Sequence, residues 1–216
     1  MYGNGHVPRR LWEAGTGDMC GRYYMDPEAA EEIAGEAERR RPEGAVMKRS
    51  GEIRPGDFAP VLANDRRMTP GGFCMRWGYA GPRGLVFNAR SETCGEKPMF
   101  RDGYLRRRCL IPLSRYFEWE KRGRERLRYA LAPEGTGPFY LAGLYRLEDR
   151  IPVFTVLTRA PAPAIAFLHD RMPVLLARRE GERWLDPGED PGRILELAEL
   201  NVSCVPDDVP IQEGIL

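Results

Sequence analysis

The spacing of hydrophobic positions along this chain changes once, near residue 53. Before that point Asp26-Pro27-Glu28 reads as a helix start: a capping acid, a proline at the first helical position and an acid in the first turn. The Ala/Glu/Arg-rich run behind it predicts a helix over 28–40 that stops before Pro42. From Ile53 onward the apolar runs become short and are punctuated by Gly and Pro, which marks a strand-rich chain. Candidate strands cover 59–63, 73–79, 85–88, 109–112, 116–121, 126–131, 139–145, 153–158 and 172–176. In the sixth of these Leu127, Tyr129 and Leu131 alternate with Arg128 and Ala130, so one face is core and the other wet. Further helices fit at 161–168, at 179–185 before Pro187, and at 191–199. Together these elements predict an α+β domain built on a curved, mostly antiparallel sheet. Residues 1–18 mix Gly, Pro and charge without period. They read as disordered or foreign to the mature protein, leaving 19–216 as one domain.

A chain of 216 residues with 42% hydrophobic content can fill one core. It contains no apolar run of about 18 residues and no apolar secretory leader, so neither a membrane span nor export is expected. Its five cysteines, Cys20, Cys74, Cys94, Cys109 and Cys204, are odd in number, widely spaced and without a Cys-x-x-Cys pair. That argues against a disulfide framework and a zinc site, and for a reducing, cytoplasmic setting. Net charge is only +1, but its distribution is uneven: residues 101–128 hold ten Lys/Arg against four Asp/Glu, and residues 170–216 hold five against eleven. Only Lys48, Lys97 and Lys121 are lysines, so the positive charge is carried by arginine, which grips phosphate with two nitrogens and stacks on bases. One face could therefore meet a polyanion while the whole stays near neutral.

The candidate chemistry begins at Met19-Cys20-Gly21-Arg22. A chain starting at Cys20 would carry an amine and a thiol on adjacent carbons. Such a pair captures an aldehyde as an imine and closes it to a thiazolidine, which an internal cysteine cannot do. Four polar clusters lie in the strand-rich region: 88–93, 107–112, 116–120 and 169–174. On a strand Glu118 faces away from Phe117 and Trp119; if those aromatics are core it is solvated, and if they form a wall it lies in a pocket. His169 is one of two histidines, with His6, so a metal site would rest on it and carboxylates alone, and no metal is expected. It stands where a loop meets an apolar strand, a place that often presents functional side chains.

Met19-Cys20-Gly21-Arg22, Asn88-Ala89-Arg90-Ser91-Glu92-Thr93, Arg108-Cys109-Leu110-Ile111-Pro112, Phe117-Glu118-Trp119 and His169-Asp170-Arg171-Met172-Pro173-Val174 resemble, in order, the signatures of the SOS response-associated peptidase family, the abasic site processing proteins. The resemblance implies a sheet bent into a pseudo-barrel with peripheral helices. It also implies a monomer without cofactor that senses abasic sites in single-stranded DNA and crosslinks to them through Cys20. By position Asn88 would orient that cysteine, and Glu118 and His169 would move protons. Arg22 and Arg90 would hold phosphates, Trp119 would stack near the lesion, and Pro55, Trp77 and Thr158 would also contact DNA. Two positions depart from the family pattern, Glu52 ahead of Ile53-Arg54-Pro55-Gly56 and Pro206, where asparagine is usual. Two other readings stand beside this one: a cysteine autopeptidase that removes its own N-terminal segment, and a noncovalent single-strand binder in which Cys20 is passive.

Overall fold

The computed structural model describes residues 21–198 and 201–207; Cys20 and the segment before it lie outside these. In chain order the strands begin with β1 (Tyr23–Met25), β2 (Gly51–Ile53), β3 (Phe58–Asn64), β4 (Pro70–Trp77), β5 (Tyr79–Gly81), β6 (Gly84–Val86) and β7 (Asn88–Arg90). They continue with β8 (Arg108–Leu113), β9 (Arg115–Arg122), β10 (Glu125–Pro133), β11 (Phe139–Glu148), β12 (Ile151–Arg159), β13 (Met172–Pro173), β14 (Leu175–Ala177) and β15 (Val202–Pro206). The helices are α1 (Glu31–Arg39), α2 (Pro98–Arg106), α3 (Arg178–Leu185) and α4 (Pro191–Leu197).

The strands form two main sheets. One runs β15-β10-β9-β1-β2, and the other runs β13-β12-β4-β3-β8-β11-β14 with β7 added on β12, which also pairs with β11. Pairing is antiparallel except where β12 meets β4 and β7. Tyr23, Ile53, Tyr116, Tyr129 and Leu131 of the first sheet share one core with Val61, Trp77, Ile111, Leu141, Phe154 and Val156 of the second. On its other face the second sheet buries Leu110, Ala142, Leu144, Leu157 and Leu176 with Phe100, Trp184, Leu185 and Ile194 of α2, α3 and α4. The fold is thus the α+β pseudo-barrel with peripheral helices that the sequence implied.

This layering explains the hydrophobic pattern. Strands of the second sheet are covered on both faces, so β8 is buried along its whole length and reads as a continuous apolar run. β10, between β15 and β9 in the first sheet, keeps the alternation seen in its sequence, with Tyr129 and Leu131 buried and Arg128 and Ala130 half-buried. α1 lies so close to β4 that a Cβ at Gly72 would sit 2.2 Å from the Ile33 carbonyl oxygen, so only glycine fits that position.

Several elements differ from expectation, each for a local reason. The helix expected over 28–40 opens as a 3-10 turn, Pro27–Ala29, breaks at Ala30 (φ −141°), and resumes as α1; Asp26 makes no side-chain cap. The segment expected as a helix over 161–168 holds only a 3-10 turn, Pro163–Ile165, because Pro161 and Pro163 deny it amide donors. The strand expected over 73–79 is cut at Gly78 (φ +109°), that over 85–88 divides into β6 and the start of β7, and that over 172–176 divides at Val174. Val174 donates to the Leu157 carbonyl on β12 while its own carbonyl accepts from Ala142 on β11, so the chain changes partner there. α2 was not expected, because its apolar stripe is thin and only Phe100 and Gly103 are buried. β1, β2 and β15, of three to five residues, are too short to show a period. Among the described residues no helix is long and apolar enough to cross a membrane.

Candidate functional site

Three strands converge where the described chain begins. The Phe117 amide donates to the Arg22 carbonyl (3.1 Å) and Tyr23 pairs with Tyr116, so the first residues of β1 run beside β9. On the other side a Cβ built on Gly21 would lie 4.0 Å from the Phe87 ring. Phe87 is itself fixed: its carbonyl accepts from the Trp77 indole N–H and the Val156 amide, both at 2.9 Å, and its ring meets Trp77 edge-on at 6.0 Å. Half-buried Asn88 therefore opens β7 at a defined place, level with Val156 of β12. The residue after Cys20 thus lies against Phe87, and the next residue, Arg22, is bonded to the β9 segment that carries Glu118.

Glu118 is only 5% exposed. It lies directly across the ladder from Tyr129, on the inward face that also carries Tyr116 and Leu131. A carboxylate in that position is costly unless it is hydrogen-bonded or paired, so its placement marks it as chemically distinct from the solvated glutamates of the surface. Phe117 and Trp119 point to the opposite, outer face. There the Arg128 guanidinium lies 3.7 Å from the centre of the Phe117 ring, and Arg22 lies 5.0 Å from that of Trp119. Of the two orientations left open by the sequence, the aromatics form an outer wall and Glu118 turns in.

His169 is brought to this region by the loop behind Pro163–Ile165. Ile165 and Leu168 insert into the core, and Phe167 meets Tyr129 nearly perpendicularly at 5.6 Å, directly across from Glu118. The His169 Nδ1 lies 3.2 Å from the Arg171 amide and 2.7 Å from the Asp170 carboxylate. Neutral imidazole accepts from the amide and protonated imidazole donates to Asp170; in both states Nδ1 is occupied locally and Nε2 is the nitrogen left for other chemistry. Arg171 holds the Glu92 carboxylate with both nitrogens and also donates to the Thr158 carbonyl. The 88–93 and 169–174 motifs are thereby locked together.

The outer face carries a charge network that the sequence did not reveal. Glu52 reaches Arg22 (3.1 Å), Arg54 (2.7 Å) and Arg128 (3.0 Å), and Arg128 also meets Asp207 (2.9 Å). Burial pushes the Glu52 carboxyl up, but the Arg54 hydrogen bond and the charges of Arg22, Arg54 and Arg128 outweigh it and hold the group below its ordinary range. The only signal for it in the sequence was that Glu52 stands where the family pattern has asparagine. Arg22 and Trp119 therefore share a surface, separate from the inward Glu118 face. Arg90 is exposed, and Pro55 is half-buried in a turn closed by the Asp57 amide on the Arg54 carbonyl.

Two of the residues expected to contact DNA have buried side chains. Trp77 is wholly buried, stacked at 6.0 Å on Phe154, with its N–H spent on Phe87, so it serves the core and supports Asn88 from behind. Thr158 is wholly buried and its hydroxyl donates to the Ala89 carbonyl, so it braces β7. Arg108, in another of the motifs, is structural: it is buried, donates to the Asp186 and Glu189 carbonyls and lies over Trp184. Burial pushes the Cys74 and Cys94 thiols up to about 11 and Cys109 well above its ordinary value, so none of the three is primed as a nucleophile. Among the described residues no three His, Cys, Asp or Glu side chains cluster to hold a metal ion.

The chain is 29% identical over 196 residues to the abasic site processing protein YoqW of Bacillus subtilis, covering 84% of this chain and 87% of that one. It is 27% identical over 138 residues to YedK of Escherichia coli, also named an abasic site processing protein, covering 60% of this chain and 61% of that one. Among solved structures, a protein from Bacteroides thetaiotaomicron superposes with a TM-score of 0.68 at 21% identity, over 87% of this chain and 91% of that one. A phage-related protein from Bordetella bronchiseptica does so with 0.67 at 23%, over 88% and 94%. The model of the SOS response associated peptidase (SRAP) family matches residues 19–209, and the chain belongs to that family.

Proposed function

We propose that this protein processes abasic sites in single-stranded DNA and captures them covalently through Cys20 as the first residue of the mature chain. The observation that carries the reading is the buried Glu118 carboxylate on the strand that pairs with Arg22 and Tyr23, with Phe87, the residue before Asn88, against Gly21. A ring-opened abasic sugar presents an aldehyde. The Cys20 amine adds to its carbon and loses water to give an imine, and the thiol then adds to the same carbon while its proton passes to the imine nitrogen, closing a thiazolidine. Glu118, which is 5% exposed, and the His169 Nε2, left open because Nδ1 is occupied, are the groups suited to open the sugar and move these protons. An α-amine has an ordinary pKa near 8, so a useful neutral fraction exists at cellular pH. The names of the relatives, abasic site processing proteins, support the substrate class. Arg22, Arg90, Arg128 and Trp119 offer the cations and the aromatic surface that a single strand requires.

The test combines intact mass with crosslinking. A chain beginning at Cys20 should form a denaturant-resistant complex with an abasic oligonucleotide without reductant, and Cys20→Ala should form one only when borohydride traps the imine. Equal crosslinking by Cys20→Ala without reductant would refute the role of Cys20. A complex that dissolves in denaturant would leave the noncovalent binder. The family's description as a peptidase favours a second activity, attack of the Cys20 thiol on the carbonyl before it, which moves residues 1–19 from the amine to sulfur as a thioester that water then hydrolyses, freeing the segment, the thiol and the amine. In that case Cys20→Ala retains the segment, whereas an external aminopeptidase would trim both chains alike.

A further inference from the structure

Phe167 is the one aromatic among the large hydrophobic side chains that the described residues leave exposed, at 55%. Its neighbours show that this is not a loosely packed loop. Ile165 is 3% exposed and Leu168 8%, both in the main core, and the Leu168 amide donates to the Ile165 carbonyl (3.0 Å), closing a turn that lifts Phe167 outward. One side of the ring is fixed by Tyr129, which is itself held by a hydroxyl bond to Glu120 (2.9 Å). Tyr129 is the direct cross-strand partner of Glu118, and Phe167 stands two residues before His169. A rigid, solvent-facing phenyl ring is therefore placed at the edge of the two groups suited to proton transfer.

From this placement we infer that Phe167 is a stacking platform for the nucleobase that flanks the abasic residue. A missing base leaves its neighbour without a stacking partner on one side, and an exposed ring beside the site can replace that partner irrespective of base identity, since every base has a π-face. The ring carries no charge and no donor, which suits a base face and not a phosphate. This deepens the proposal above and rests on its DNA-binding half alone, so it stands or falls separately from thiazolidine formation. It also assigns two aromatic surfaces to the strand: Trp119 on the outer face beside Arg22, and Phe167 on the side of Glu118 and His169.

The experiment uses the full chain and single-stranded oligonucleotides carrying a stable tetrahydrofuran abasic analogue, which has no aldehyde and cannot crosslink. The fluorescent base 2-aminopurine is placed on its 5′ or its 3′ side. Binding of wild type should change the emission on one side only. Phe167→Ala should abolish that change and raise the half-saturating DNA concentration about tenfold, which is the loss of one base–aromatic stack. Phe167→Trp should restore both, and the unfolding temperature of Phe167→Ala should stay at that of wild type because the ring is mostly solvated. Unchanged affinity and emission in a folded Phe167→Ala would overturn the inference. So would an equal loss of affinity for an intact strand of the same sequence, since the ring would then be a general contact and not a partner for the base beside the gap. A parallel reaction of an aldehyde-bearing site with the chain beginning at Cys20 tests the capture step: its absence there refutes that step and leaves the stacking result standing.

Discussion

Arg171 grips both oxygens of Glu92 at 2.6 Å and, with one of the same nitrogens, the Thr158 carbonyl at 2.6 Å. The two carboxylate contacts join residues 79 positions apart in sequence and set the loop bearing His169 against the strand bearing Asn88. The pair positions others and need not touch substrate.

Glu92→Gln should therefore slow crosslinking at saturating DNA several-fold while leaving the half-saturating concentration unchanged, and Arg171→Lys should do the same because an ammonium cannot span both oxygens. The Arg171 hydrogen bond holds the Glu92 carboxyl below its ordinary value, so its stabilisation is present at neutral pH and is lost as the pH falls through that lowered value. Glu92 is half exposed, which limits the effect to about 0.5–1 kcal/mol. Unfolding temperatures of wild type and Glu92→Gln should differ at pH 7 and converge in acid once Glu92 is protonated in the folded chain. A gap that persists in acid would show that the loop is held by something else.

A second prediction separates the arginines. Arg90 is exposed and has no ion pair among the described residues, whereas Arg22 faces Glu52, which it shares with Arg54 and Arg128. Each phosphate contact on a single strand contributes about 0.7 to the slope of log affinity against log salt. Arg90→Ala should flatten the slope by that amount and Arg22→Ala by less, since Glu52 already offsets part of its charge. Glu52→Gln should tighten binding and steepen the slope. Equal slopes for all four proteins, measured by anisotropy from low to moderate salt, would mean that these arginines do not track the backbone.

How much of this was readable in advance depended on range. The alternation of Leu127, Tyr129 and Leu131 gave β10 its inward face, because cross-strand burial follows the two-residue period of the backbone itself. The place of Glu118 could be read only as a choice between two faces. Deciding it required knowing that Arg128 and Arg22 cover Phe117 and Trp119 from outside, which are contacts made across strand pairs. The burial of Trp77 was hidden for the same reason: nothing local in Arg76-Trp77-Gly78 says that Phe87 and Phe154 enclose the indole. Glu52 stood out only as a residue out of pattern, and its three arginine partners come from the residue before β1, from β10 and from the turn after β2.

The two tryptophans should accordingly fail in different ways. Trp77→Ala removes a fully buried ring and should cost about 3–5 kcal/mol of stability, seen as a lower urea midpoint. Trp119→Ala, at a half-buried outer position, should leave the midpoint near wild type and weaken DNA binding by about 1–3 kcal/mol. If Trp119→Ala unfolds as readily as Trp77→Ala, the outer surface is part of the core and not a platform.

The last prediction counts thiols. Only a thiolate reacts rapidly with a disulfide reagent, and burial suppresses it at Cys74, Cys94 and Cys109, while Cys204, half-buried, is raised less. Folded protein starting at Cys20 should therefore give one fast thiol, absent in Cys20→Ala, followed by a slow one from Cys204. In denaturant all five cysteines react, so the free protein should titrate as five. Closing a thiazolidine converts the Cys20 thiol into a thioether, so the purified DNA adduct should titrate in denaturant as four, the five cysteines less the one consumed. An imine, or a lysine adduct, leaves all five free. Five thiols in a denaturant-resistant adduct would rule out ring closure on Cys20 even if the crosslink itself were genuine, and four would place the bond on sulfur without any need for reductive trapping.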